Sequence, residues 1–317
     1  MQMRQLGATD LRIAPLVLGG NVFGWTADRE TSFAILDAFL DAGFNAIDTA
    51  DVYNRYAPGL HGGESETIIG AWMKDRGVRD RVVLITKGGL PMGDGMEGLG
   101  EAYLRQACEA SLRRLQTDYI DVYMAHRADP AVPIGQTLET FQRLTDSGQI
   151  RYAGCSNYTP QELVEAVNTR GDRAGYQVVQ PLYNLVARDT YEGAMEDICV
   201  SHSLGVITYY ALAAGFLTGK YRSEADLAGS ARARVASEFM NPRDLALLDV
   251  VDRVAARHQA TPAQVALAWV MARPSITAPI ASATSLTQLR DIVQAAHLRL
   301  SEEDLVDLGA SAPPLSR

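Results

Sequence analysis

Cysteine is scarce in this chain: Cys108, Cys155 and Cys199 are the only three among 317 residues, widely spaced and odd in number. That excludes a disulfide framework and suits a reducing compartment. Basic charge is short as well, with 29 Lys and Arg against 38 Asp and Glu and a net charge of -9. A surface of that sign repels nucleic-acid backbones and anionic membranes, so neither is expected as a partner, and any phosphate must be held by a local site. Polar low-complexity tracts are missing and 47% of residues are hydrophobic, which excludes disorder. The opening "MQMRQLGATD" lacks the apolar core of a signal peptide, and the protein is expected in the cytoplasm. No Cys/His cluster has metal-ligand spacing, so no metal is expected. One charge-free run, residues 198 to 219, reaches the length of a membrane span. Its "SHSLG" breaks it into a helix end, a turn and a buried strand.

What the chain does have is a rhythm. "MRQLGATDLRIAPL" reads as a hairpin turning at "GATD", and "LVLGG" follows as a short apolar strand. Helical segments then alternate with apolar runs: 28–42 leads to "NAIDT", 64–76 to "VVLITK", 99–115 to "IDVYMAH" and 134–147 to "RYAGCS". Further on, 160–168 leads to "YQVVQP", 193–204 to "GVITYYAL", and a helix opening at "TPAQ" to "ITAPIA". In that last helix Thr261 can cap, Pro262 fits the first position and Gln264 completes a capping box. Eight apolar strands separated by helices predict a (β/α)₈ barrel, a single domain over residues 1–317. A doubly wound open sheet shares the alternation. However, "LGGNVFG" spells G-G-x-x-x-G where a dinucleotide fingerprint needs G-x-G-x-x-G. Two additions to a minimal barrel are expected: a long connection from Ala213 to Asn241 after strand seven, of the length that lids have, and an extra C-terminal helix near 301–309.

Barrel active sites lie at the C-terminal ends of strands, and four polar residues fall there: Asp48, Tyr53 just beyond it, Lys87 and His126. Each alone has a structural reading, as a turn cap, rim aromatic, solvated lysine or core imidazole. Together, on strands two, three and four, they suit proton transfer. A phenol ionising near ~10 is a sluggish acid at neutral pH, and an ammonium beside it favours the phenolate. Lys87 is expected to bring Tyr53 down, with Asp48 holding Lys87 charged and His126 bonding the same substrate oxygen.

The set "IDTADVY", "ITK", "YMAH", "GCSNY", "QPLYN" and "GFLTGKY", in that order, resembles the aldo-keto reductase family. The likeness runs from "LGGNVFG" to "SATSLTQL", nearly the whole chain. It implies a barrel that binds a nicotinamide cofactor without a Rossmann fold and reversibly reduces an aldehyde or ketone to an alcohol. On the matching positions, Tyr53 is the general acid, Asp48 and Lys87 its tuning pair, and His126 orients the carbonyl. Ser156, Asn157 and Gln180 contact the carboxamide, and Tyr209 stacks on the nicotinamide ring. Gly19, Asn21, Val22, Asp48, Leu212, Gly215, Leu217 and Lys220 continue the cofactor set, with Lys220 at the pyrophosphate. Ser282, Thr284, Gln288 and Asp291 take the adenosine end. Phe23 and Trp25 line the mouth beside Tyr53 and His126 as substrate walls.

The chain also departs from the family's pattern. Gly, Lys or Arg is common near 282–284 and Asn at 292, where this sequence has Ser282, Ala283, Thr284 and Ile292. NADP(H) is expected over NAD(H), with Arg232 or Arg234 of the long connection supplying the missing cation. Tyr210 and Ala211 replace a common Ser and Pro beside the cofactor tunnel. Two rival functions share the pattern: a cofactor-sensing subunit with slow turnover, and a phosphate-sugar isomerase or aldolase on a similar barrel.

Overall fold

The computed structural model describes residues 1–171, 175–228 and 233–311. The chain opens with a two-stranded antiparallel hairpin, β1 (Arg4–Gln5) and β2 (Arg12–Ile13), followed by the first barrel strand, β3 (Val17–Gly19). Then come α1 (Arg29–Asp41), β4 (Ala46–Asp48), α2 (Glu64–Arg76), β5 (Val83–Gly88), α3 (Glu101–Leu115), β6 (Ile120–Ala125), α4 (Ile134–Asp146) and β7 (Ile150–Ser156). The second half continues with α5 (Pro160–Thr169), β8 (Tyr176–Gln180), α6 (Ala194–Ser201), β9 (Gly205–Thr208), α7 (Ala233–Ala236), α8 (Pro242–His258), α9 (Pro262–Met271), β10 (Ala278–Ala281), α10 (Leu286–Gln294) and α11 (Glu302–Ser311). Eight parallel strands, β3 to β10, close into a barrel as β10 pairs with β3.

Two apolar layers hold the barrel. Residues pointing inward, among them Val17, Ala46, Ile85, Val122, Val178 and Ile207, form one cluster, and those pointing outward pack under the helices in a larger one. Leu6, Leu11 and Ile13 of the hairpin join the inner cluster, so the hairpin stoppers the N-terminal end. Gly7 is needed there. Its φ is +60°, and a Cβ would meet the Gly205 nitrogen at 2.2 Å.

Helix boundaries follow local chemistry. The Thr261 capping box with Pro262 forms as expected, and α5 has the same device in Thr159, Pro160 and Glu162. The charge-free run divides between the end of α6, a turn with Ser203 at φ +52°, and β9. Among the described residues no helix is long and apolar enough to cross a membrane. Three helices go beyond the sequence reading, the short α7 and the longer α8 and α10. Asn241 caps α8 with Pro242 in its first turn, the same signal that marks α9. The connection from Ala213 to Asn241 is folded into short 3₁₀ segments and α7.

Candidate active site

At the C-terminal end of β4, Asp48 points into the barrel and is 1% exposed. Lys87, one strand over, is fully buried and spends its ammonium on three partners: the Asp48 carboxylate at 2.8 and 2.9 Å, the Thr49 carbonyl oxygen at 2.8 Å and Tyr53 Oη at 2.9 Å. Tyr53 Oη in turn donates to Asp48 Oδ2 at 3.1 Å. The turn after β4 brings the phenol back over its own strand end, which explains the five-position spacing of acid and tyrosine. Gln180 Nε2 closes the ring by donating to Asp48 Oδ1 at 2.8 Å. A buried carboxylate needs that many donors to offset its lost hydration.

Burial and the Asp48 carboxylate push the Tyr53 phenol well above its ordinary value. The expectation that Lys87 brings it down is corrected. The ammonium and the carboxylate both reach the hydroxyl, and the low-dielectric setting favours the neutral phenol. Burial lowers Lys87, with Asp48 opposing it. Burial, Lys87 and Arg127 hold His126 well below the ordinary imidazole range, so it is neutral. Its ring meets that of Tyr53 edge-on at 6.1 Å, and its buried Nδ1 has no partner among the described residues.

Asp48, Tyr53 and His126 open onto a cavity of about 740 Å³, within the usual range for small-molecule sites. Lining it are Gly19, Asn21, Val22, Ser156, Asn157, Gln180, Tyr209, Leu212, Gly215, Lys220, Ser282, Thr284, Gln288 and Asp291, so the structure brings nearly all of the expected cofactor residues together. Leu217 is the exception. It is fully buried in the outer core and is corrected to a packing residue. Phe23 is corrected likewise: its turn closes on Gly20 and bridges Ala27, which turns the ring into the core, while its carbonyl accepts from Asn54 Nδ2 at 2.7 Å. Trp25 stays 40% exposed on the same loop and is not among the cavity-lining residues. Thr26, Ala214, Thr218, Tyr221 and Ala263 line the cavity without having been read from the sequence. Thr218 and Tyr221 flank the "GK" of "LTGKY", so that motif held the signal.

At the far end Ser282 Oγ donates to Asn21 Oδ1 at 2.7 Å, and Thr284 donates through its amide and hydroxyl to Gln288 Oε1. Asp291 accepts from Thr261 and Gln264. Lys220 is the one cation among the described residues lining the cavity. Arg232 lies outside the described residues, as does the side chain of Arg234. Amide and hydroxyl groups beside Tyr53, with a cation and the start of α10 lining the same cavity, offer the mixed donors that a dinucleotide needs.

A closed parallel barrel with a buried lysine-carboxylate pair under a cavity-facing tyrosine defines a class, the barrel oxidoreductases that use a nicotinamide cofactor. Residues 15–311 match the aldo/keto reductase family, and the chain belongs to it. It is 36% identical over 315 residues to "Uncharacterized oxidoreductase YrpG" of Bacillus subtilis, covering 96% of this chain and 94% of that protein. It is 31% identical over 307 residues to "Aldo-keto reductase YhdN" of the same organism, covering 95% and 89%. A "Probable voltage-gated potassium channel subunit beta" of Oryza sativa is 33% identical over 309 residues, covering 93% and 91%. The chain is thus an NAD(P)H-dependent oxidoreductase of the aldo-keto reductase type, and the isomerase or aldolase reading falls away.

Proposed function

We propose that this enzyme reduces a small-molecule aldehyde or ketone with Tyr53 as general acid, and that it prefers NADP(H) in the cytoplasm. The observation that carries the reading is the three-way contact of Asp48, Lys87 and Tyr53 beneath the cavity. When bound, the cofactor supplies the hydride. Tyr53 passes its proton to the developing alkoxide oxygen, and Lys87 Nζ, 2.9 Å away, stabilises the phenolate left behind. Neutral His126 orients the carbonyl oxygen toward that hydroxyl. Ser156, Asn157 and Gln180 hold the carboxamide, Tyr209 fixes the ring plane, and the reverse direction uses the same groups. The hydroxyl and amide groups of Ser282, Thr284 and Gln288 at the adenosine end support the NADP(H) preference, while Lys220 serves the pyrophosphate that both cofactors carry. The three free, buried cysteines support the location.

Titration with NADPH and with NADH, followed by tryptophan fluorescence, tests the cofactor assignment without knowledge of the carbonyl. Tyr53→Phe should leave that binding nearly intact and lower turnover by roughly two to four powers of ten, the usual contribution of a positioned acid. Unchanged turnover removes Tyr53 from the mechanism. The likeness to channel subunits keeps a second reading, a slow cofactor-sensing subunit, which fast multiple turnover rules out.

A further inference from the structure

Behind the proton-transfer groups, on the outer side of the barrel wall, lies a second buried acid. Asp51 sits in the turn between Asp48 and Tyr53, is 1% exposed, and among the described residues no side chain bonds its carboxyl, which has only the amide of its neighbour Val52 beside it. The Tyr123 hydroxyl of β6 is buried and has no hydrogen-bond partner among the described residues. Both face Gly88, where a Cβ would stand 2.2 Å from Tyr123 Oη and 3.5 Å from Asp51 Oδ2. The backbone here ties the site together. Asp51 donates its amide to the Lys87 carbonyl oxygen at 3.1 Å, and His126 donates its amide to that of Gly88 at 2.9 Å.

The charged and titratable neighbours come from every packed element. Glu66 of α2 is fully buried, accepts from Thr86 at 2.6 Å and already pairs with Arg114 of α3 at 2.7 Å. Lys87 of β5 is committed to Asp48, and Tyr103 of α3 and Tyr123 of β6 are phenols that feel the same carboxyl. One arginine therefore serves two buried acids, and Glu66 holds it.

We propose that Asp51 is a positioning residue that works as a neutral acid: protonated, it lets the Tyr53 turn seat over β5, and its ionisation unseats that turn. Burial, then Glu66, raises its carboxyl to about 8, against the pull of Arg114, the Val52 amide and Lys87. The sign for stability follows. The unfolded chain releases this proton near ~4, so folding is penalised progressively from there up to about 8, and the full penalty persists above.

The role in turnover rests on the reading of Tyr53 given above, and Asp51→Asn separates the two because it copies the neutral acid. Wild-type kcat should fall as pH rises through about 8, whereas Asp51→Asn should hold its kcat there. Asp51→Asn should also melt above wild type at pH 7 to 9 and converge with it near pH 4. An infrared band of a protonated carboxylic acid in the wild type at pH 7, lost on alkaline titration, tests the ionisation without any variant. A shared alkaline limb in the two proteins overturns the positioning role, even if the melting curves differ. Absence of the infrared band overturns the neutral acid. If Tyr53 proves idle, the melting and infrared arms still decide the state of Asp51.

Discussion

Lys87→Met is the most searching perturbation of the site. The methionine keeps the length and apolar stem of the lysine but removes the charge from a fully buried position, leaving Asp48 with only Tyr53 and Gln180 as donors. Breaking a buried pair from one side costs roughly 3–5 kcal/mol, because the remaining charge is uncompensated. At an unfolding entropy of about 2.1 cal/mol/K per residue, a chain of this size should melt about 4 to 8 °C lower. The double variant Asp48→Asn, Lys87→Met removes both charges and should recover a large part of that loss. Circular dichroism melts of the wild type, both singles and the double give the coupling. Turnover of Lys87→Met, followed by the absorbance of the reduced nicotinamide, should drop by roughly two to four powers of ten. A double variant that melts below Lys87→Met would refute the reasoning, since it would show that the stranded carboxylate carries no cost.

Other predictions are independent of that pair. His126→Asn should flatten the acid side of the stability curve: the unfolded imidazole takes a proton near ~6.5 while burial and Lys87 keep the folded one neutral, so wild type loses stability as pH falls through that value. Melting both proteins from pH 7 to 5 checks the difference. Gly70→Ala should cost roughly 1–3 kcal/mol in urea unfolding, because a Cβ there meets the Arg114 carbonyl oxygen at 2.3 Å, backbone that cannot swing aside. Lys220→Met should weaken NADPH and NADH alike, by about tenfold, if its charge meets the pyrophosphate common to both. A loss confined to NADPH would place Lys220 at the 2′-phosphate.

The barrel was legible because its strands are largely apolar runs set between helical segments, and Asp48, Lys87 and His126 stand at their C-terminal ends. Tyr53 was legible through its motif. Phe23 was misplaced because nothing in "NVFGW" tells which way a tight turn aims its ring, a matter settled by the Gly20 and Ala27 contacts. The direction of the Tyr53 shift was equally out of reach, since it depends on whether ammonium or carboxylate dominates at one oxygen. Nothing in "IDTADVY" sets Asp51 apart from an ordinary loop acid. Only the packing of α2 and α3 over the wall buries it next to Glu66.

The hairpin that stoppers the barrel has a bearing on traffic. With Leu6, Leu11 and Ile13 filling one end, the interior is a cup with a single rim, and reactants share one door. Whatever lies deepest must arrive first and depart last. With the expected nicotinamide contacts set around Asp48 and the carbonyl above them, kinetics should show a compulsory order, cofactor leading in and trailing out.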